Sequence, residues 1–387
     1  MKKIALFLTL ALLTLPFLGK AEEADTVVAT AAVSESQTES EEENPGDIII
    51  GHVTDAHSWH MFDIKKKDGK VHAVAIPLPI ILINDGHLDV FMSSKFPHEK
   101  DAEGNKIYKN YNLKGGGLER EQIVCVEVDA AGNVVRDEAG KVIEGKAPID
   151  LSITKTAAAI IIAVVLLIVI LMVVKNQYKK REGKEPKGMQ TLIELLILHV
   201  RNDIAGPMLG AKTDKFLPYL LTLFFFIIFC NVLGLIPFFP AGANITGNIA
   251  VTAILAFITF FITNLSGNRH YWKDIFNTPG VPAWLKIFPL MPVVELVGVF
   301  TKPIVLMIRL FANMTAGHIV ILGFVVIIFI LSNLFGTMVG GAVSVMSVLF
   351  SVFISLLECL VAYIQAYVFT MLSALYIGMA VETPEHE

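Results

Sequence analysis

Apolar runs long enough to span a bilayer fill the C-terminal part of the chain, while the N-terminal part carries short β-type runs separated by turn residues. Ala157 to Val174 is unbroken apolar sequence, about 27 Å as a helix, close to the thickness of a hydrocarbon core. Lys175, Lys179, Lys180 and Arg181 follow it; the positive-inside rule places them in the cytoplasm, so this helix runs inward. In Met189 to Ile204, Leu192, Leu195, Leu196 and Val200 share a helical face while Glu194, His199 and Arg201 interrupt the rest. That pattern predicts one interfacial helix on the cytoplasmic membrane surface. Phe216 to Phe239 and Ile249 to Leu265 are two more spans, joined by a loop with Pro237, Pro240 and Gly242 but no Lys or Arg. Arg269, Lys273 and Lys286 come after the second and return the chain to the cytoplasm. Phe288 to Leu331 and Met338 to Val381 complete the chain. Each is roughly 66 Å long as a helix, too long to stand upright in a core of about 30 Å. Either each contains two spans, or each is one strongly tilted helix and the pair forms a hairpin turning at Ser332 to Thr337.

Ahead of the first span the pattern changes twice. Residues 1–21 have a secretory signal-peptide pattern: Lys2 and Lys3, an apolar run from Ile4 to Leu18, and small residues at Gly19 and Ala21. An uncleaved helix is the alternative, for which the run is short. Residues 22–47 hold Glu, Ser, Thr and Ala without Lys or Arg, a composition that favours a disordered acidic linker. From residue 48 to about 150, turn signals at Lys67 to Lys70, Asn84-Asp85-Gly86, Gly115 to Gly117 and Asp129 to Asn133 punctuate short runs such as Val124 to Val128. They predict a small β-rich domain outside the cytoplasm.

Composition narrows the function. Of 387 residues, 54% are hydrophobic and 17% charged, and the mean hydropathy is +0.63; these are membrane-protein values. A net charge of -5, with lysines and arginines concentrated in a few loops rather than on one long basic face, argues against nucleic acid. No GxxxxGK[ST] loop is present, so nucleotide chemistry belongs elsewhere and no cofactor is implied. His52, Asp55, His57 and His60 have ligand-type side chains, but their spacing matches no metal motif, so no metal is expected. Cys125, Cys230 and Cys359 form no redox or metal spacing. No internal repeat of the kind seen in inverted-repeat transporters is visible.

Arg309 is the residue that most needs an explanation. It lies mid-run in Ile304 to Ile330, where Asn313, Thr315 and His318 are the other polar interruptions. An arginine at the centre of a span costs about 2.5–3.5 kcal/mol on insertion scales, so a functional role is the default reading. Glu295, Lys302 and Arg309 recur every seven residues and form one polar stripe, provided Pro303 does not break the register. His318 is nine residues on from Arg309, about half a turn around the helix, so the two serve different surfaces. Glu358 and Gln365 share a face of the last helix, and in an antiparallel hairpin His318 and Glu358 can meet in the outer half of the membrane. An imidazole and a carboxylate buried together suit either a proton relay or a static ion pair.

Arg309-Leu310-Phe311-Ala312-Asn313-Met314-Thr315-Ala316-Gly317-His318, preceded by Lys302-Pro303, resembles the signature of subunit a of F-type ATP synthases. Glu358 to Phe369 resembles the last-helix signature of that family, and Asn231 to Pro237 and Pro279 to Pro282 match it as well. The resemblance covers about Lys155 to Val381. It implies a non-catalytic, proton-translocating stator subunit of the complex in a bacterial inner membrane. Arg309 would face the carboxylate of a rotating c-subunit ring; Asn313, His318, Glu358 and Gln365 would line the half-channel from outside, and Glu295 the cytoplasmic exit. The partners implied are the c ring, the b subunits, the remaining synthase subunits, protons and lipid. The fold expected is an all-α polytopic membrane domain over residues 151–387, with five transmembrane helices that include a tilted hairpin. Its C-terminus would be cytoplasmic, and the β-rich domain is an extension beyond the usual family pattern. A secondary transporter or ion channel with an anion-binding Arg309 is the rival reading, and a receptor working through its exported domain a second.

Overall fold

A computed structural model of the chain describes residues 54–65, 71–97, 105–116, 119–128, 134–137, 142–236, 242–276 and 290–382. The signal-sequence and acidic-linker expectations, His52, the turns at Lys67 to Lys70 and Asp129 to Asn133, and the Pro279 to Pro282 motif lie outside the described residues.

Eight strands precede the helices: β1 (Ser58–Lys65), β2 (Val71–Pro77), β3 (Pro79–Asn84), β4 (His87–Met92), β5 (Lys106–Tyr108), β6 (Tyr111–Gly116), β7 (Glu119–Cys125) and β8 (Ile149–Asp150). They form three antiparallel sheets, ordered β1-β2, β4-β3-β8 and β5-β6-β7. The β3–β4 turn falls on Asp85 and Gly86, both with positive φ (48° and 84°), the backbone of a tight hairpin in which glycine is unstrained. Ile80, Leu82, Phe96, Tyr111, Ile123 and Cys125 form the core shared by the second and third sheets. Asp89 sits on the inner side of β4, where the Tyr111 hydroxyl donates to it at 2.7 Å.

The β-rich region joins the helices through a charged cluster. His57 Nε2 lies 2.9 Å from Asp150 Oδ2, and His57 Nδ1 lies 3.4 Å from Glu121 Oε2. The His57 amide also donates to Glu121 at 2.7 Å. Burial alone would lower the imidazole pKa, but the hydrogen bonds to Asp150 and Glu121 overturn that and raise it to about 9. Burial works against both carboxylates too, yet the bonds from His57 hold Glu121 and Asp150 below the ordinary carboxylate range. Next to this cluster Asp55 accepts from the Thr156 amide at 2.9 Å, and the Ala56 carbonyl accepts from Lys155 at 2.8 Å. Thr154 caps the helix that begins at Lys155 by accepting from Ala157 at 3.3 Å, so three N-terminal amides of that helix are satisfied.

The helical part is mostly helix by composition and length, with five helical segments long and apolar enough to cross a membrane among the described residues. α1 (Lys155–Lys180) ends in Lys179 and Lys180. α2 (Met189–His199) continues into a π-helical stretch over Val200–Ala205 and the short α3 (Gly206–Leu209). Pro207, just past the π stretch, has no amide hydrogen to give back to the helix, which favours that local widening. α4 (Thr213–Leu235), α5 (Ile249–Ser266) and α6 (Arg269–Phe276) follow. α7 (Leu290–Phe335) has 46 residues and α8 (Thr337–Val381) has 45; only Gly336, at φ 85°, separates them. Each is therefore one unbroken helix rather than two spans. Pro303 removes one i to i−4 hydrogen bond from α7 but does not end it. One apolar cluster joins α1, the α2–α3 stretch, α4, α5, α7 and α8, and includes Leu220, Phe224, Leu306, Leu310, Ala366 and Ile377. Trp59 of β1 is buried in that same cluster, so the β-rich region is packed onto the helices.

Candidate functional site

The inward face of α7 is set by Leu306, Leu310 and Met314, all buried and spaced four residues apart as helix packing requires. Arg309 is consequently turned outward. It is exposed, with Ile308, Val305, Ala312 and Asn313 also exposed around it. On α8, Leu349, Val352, Phe353, Leu356 and Leu360 are exposed in the same manner. No described carboxylate pairs with Arg309. The hairpin thus presents a wide apolar surface interrupted by one guanidinium, a group that stays charged in proteins and carries five donors.

The other candidates belong to different surroundings. Glu358 and Gln365 are buried on the inner face of α8, in line with Ala362 and Ala366. Glu358 lies against Gly317 of α7: a β-carbon at 317 would overlap its carboxylate. Its Oε2 has no hydrogen-bond partner among the described residues. His318, the next residue, is half-buried and points at α4, with Nε2 3.6 Å from where a β-carbon on Gly234 would stand. Two glycines therefore make room for the two ionisable side chains, one each, and the carboxylate sits beside the residue that precedes the imidazole. Asn313 stays on the outward face with Arg309.

Around this pair a polar frame holds α4, α7, α8 and the 242–248 loop together. The Asn231 amide donates to the Ala362 carbonyl at 3.2 Å and accepts from Thr246 at 2.7 Å. Thr315 donates to the Gly247 carbonyl at 3.4 Å. A second group of buried hydroxyls lies further along: Tyr219 and Thr259 are 2.7 Å apart, and Thr259 is 3.4 Å from Ser373.

The stripe predicted on α7 separates in its surroundings. Glu295 is exposed, whereas the Lys302 ammonium lies 5.3 Å above the Tyr376 ring, a cation–π contact. Lys302 and Tyr376 also line a cavity of about 20 Å³ with Thr259, Thr263, Asn264 and Tyr271, enough for about one water molecule. Asn231 heads a motif that matches the family, but Thr246, Thr259, Asn264 and Tyr271 belong to no motif in the sequence, since neutral polar residues in apolar helices carry little signal alone. Gly317 stood in the motif as a small residue, and its function as a seat for Glu358 needed the packing.

In the β-rich region, His57 is engaged by Glu121 and Asp150, and no group of three or more ligand-type residues able to hold a metal occurs among the described residues.

Known proteins share this arrangement of sequence. A family model described as ATP synthase A chain matches residues 157–378, and a second, described as a domain of unknown function, matches residues 48–151. A subunit a of ATP synthase from Chlorobium phaeobacteroides is 42% identical over 338 residues, covering 83% of this chain and 95% of its own length. That match is too long to be confined to the helices. The corresponding proteins of Pelodictyon phaeoclathratiforme and Myxococcus xanthus are 42% and 43% identical, covering 62% of this chain and 69% and 76% of their own lengths. With more than half of its residues matched by the family model and a relative covered almost from end to end, this chain belongs to the ATP synthase A chain family.

Proposed function

We propose that Arg309 is the fixed charge that meets the rotor of an F-type ATP synthase. As a member of its family the chain is the non-catalytic, proton-translocating stator subunit of the membrane sector. The observation that carries the assignment of Arg309 is its exposure on the apolar outer face of α7, without a carboxylate from its own chain. A cation in hydrocarbon is expensive, so that face calls for a partner that brings an acid and an apolar surface. A ring of c subunits, each carrying one carboxylate in the membrane, has that chemistry. The guanidinium lowers the pKa of an arriving acid, as an opposite charge does by about 1–3 units, and releases its proton without accepting it.

The surroundings of the side chains support the remaining assignments. Protons enter from outside past His318, Glu358 and Gln365, with Asn313 beside Arg309 at the ring surface; Glu295, exposed before Lys302 on α7, marks the cytoplasmic exit. Crossing of the two half-channels is blocked by Arg309. The 46- and 45-residue helices lie strongly tilted, because each is more than twice as long as the roughly 30 Å core. α2 lies on the cytoplasmic surface of a bacterial inner membrane, the C-terminus is cytoplasmic and the β-rich domain extracytoplasmic. The b subunits and the other synthase subunits complete the complex. Each charge moved across 100 mV makes about 2.3 kcal/mol available for rotation.

A cysteine placed at Val305 or Asn313 tests the partner. In native membranes it should cross-link to a small apolar subunit present in many copies. Cross-linking only to large soluble subunits, or to none, would contradict the assignment.

A further inference from the structure

The sheet β4-β3-β8 has its polarity reversed on one side. An antiparallel sheet with one face on a core ordinarily turns apolar side chains inward and polar ones to water. Here Asp89 of β4 and Asp150 of β8 sit opposite Leu82, on the side of the core, each engaged by a partner: Tyr111 for the first and His57 for the second. The other side is aliphatic. Leu88, Val90 and Met92 of β4 are 64%, 60% and 42% exposed. They pair with Ile83, Ile81 and Pro79 of β3, which occupy the same side by the alternation of strand positions. The segment after β8 keeps following β3, with the Leu151 amide donating to the Ile81 carbonyl at 2.9 Å and the Ile153 amide to that of Pro79 at 3.1 Å. Ile149, 62% exposed, therefore continues through Leu151 and Ile153 as the third row. None of these side chains bears a charge. A register slip of one residue would exchange the two sides, but the bonds to Asp89 and Asp150 hold the aliphatic side outward.

The place of this surface in the chain says what covers it. Ile153 is two residues before Lys155, the first residue of α1. From Thr156 to Val174 α1 carries no charge, about 28 Å of helix that matches the hydrocarbon thickness, so Lys155 marks the membrane boundary. The row Met92, Pro79, Ile153 begins at that boundary and reaches roughly 10 Å sideways, two strand spacings. The row Leu88, Ile83, Ile149 lies roughly 13 Å further along the strands. The sheet is tied to that boundary: Asp150 of β8 is bonded to His57, whose neighbours Asp55 and Ala56 are hydrogen-bonded to the first turn of α1, and Trp59 beyond it is buried among the helices.

We propose that the outer face of β4-β3-β8 is a monolayer anchor, seated against lipid acyl chains in the leaflet that α1 enters. The surface meets the same hydrocarbon as the exposed Ile161, Val165, Val169 and Met172 of α1, and its burial depth is that of interfacial amphipathic elements, about 5–10 Å. The β-rich domain is thereby held flat beside the helices rather than standing free in water. This depends on α1 crossing a membrane and not on the proton path.

Depth-resolved fluorescence quenching tests it on the full chain in its complex, reconstituted in phosphatidylethanolamine–phosphatidylglycerol vesicles. A solvent-sensitive fluorophore is attached to Val90→Cys or Leu88→Cys, to Glu127→Cys as an exposed polar control, and in parallel to the parent, whose exposed Cys359 gives the background. Brominated acyl chains should quench the label at 90 or 88 several-fold more than at 127, and aqueous iodide should do the reverse. Iodide quenching equal to the control would show a face left in water. Protection from both quenchers would show a protein partner or a second copy of the chain instead. Either result overturns the anchor.

Discussion

Replacing His57 by glutamine removes the positive charge that ties β1, β7 and β8 to the entry of α1 while keeping a hydrogen-bonding side chain. At 1.36 kcal/mol per pKa unit, the rise of the imidazole from its ordinary 6.5 to about 9 corresponds to about 3 kcal/mol. The Asp150 and Glu121 side chains are 33% and 17% exposed, and solvent screening reduces this to about 2 kcal/mol. The sign follows from the direction of the shift. A raised imidazole contributes in full below pH 6.5, and its contribution disappears as the pH climbs through 9. Glu121 and Asp150, held below their ordinary values of 4.5 and 3.8, contribute above those values and lose their share as the pH falls further. Hydrogen exchange of peptides covering 54–65 and 119–125, corrected for the intrinsic rate at each pH, reports the local opening free energy. At pH 6 the parent should be protected about 30-fold more than His57→Gln, and the two should converge above pH 9. A gap that stays constant from pH 6 to pH 10 would refute the charged pairing.

Two further outcomes concern the carboxylate pocket. Gly317→Ala puts a β-carbon into the space of the Glu358 carboxylate, an overpacking of about 1–3 kcal/mol that should lower ATP-driven proton uptake by roughly tenfold or more with the complex still assembled; Glu358→Asp in the same chain should restore part of it. Parental uptake in Gly317→Ala would show that the position of Glu358 is unimportant. In the double exchange His318→Glu with Glu358→His, coupled residues should retain more proton uptake than either single variant, whereas activity no better than the worse single variant would argue against coupling.

The helices are readable from sequence because hydrocarbon imposes a simple demand, uninterrupted apolar length, and the runs end at charges such as Lys175, Lys215 and Glu382, at Pro240, or at short polar and glycine breaks such as Gly247-Asn248 and Ser332 to Thr337. For α7 and α8, length alone fits two short spans or one long helix; the single break at Gly336 decides it. Arg309 stood out because a charge in an apolar run has so few bland explanations. Its outward direction follows from the four-residue spacing of Leu306, Leu310 and Met314. The chemistry of His318 and Glu358 marks them in the sequence, yet the sequence shows neither Gly317 nor Gly234 as the surfaces that receive them, because a glycine contributes by what it lacks. The expected turn at Asp85-Gly86 lies where β3 meets β4. The three-way bridge of His57, Glu121 and Asp150 spans residues 64 and 93 positions apart, a distance over which no local pattern carries information.

ATP-driven proton uptake into vesicles holding the whole complex, compared for the parent, Arg309→Ala and Arg309→Lys, is the measurement closest to the central claim. Arg309→Ala should abolish uptake and admit a passive leak, because nothing then separates the half-channels. Arg309→Lys should abolish uptake as well, since a buried lysine loses its proton readily and lacks the planar fork of donors. Near-parental uptake by Arg309→Ala would contradict the role assigned to Arg309 and the account built on it.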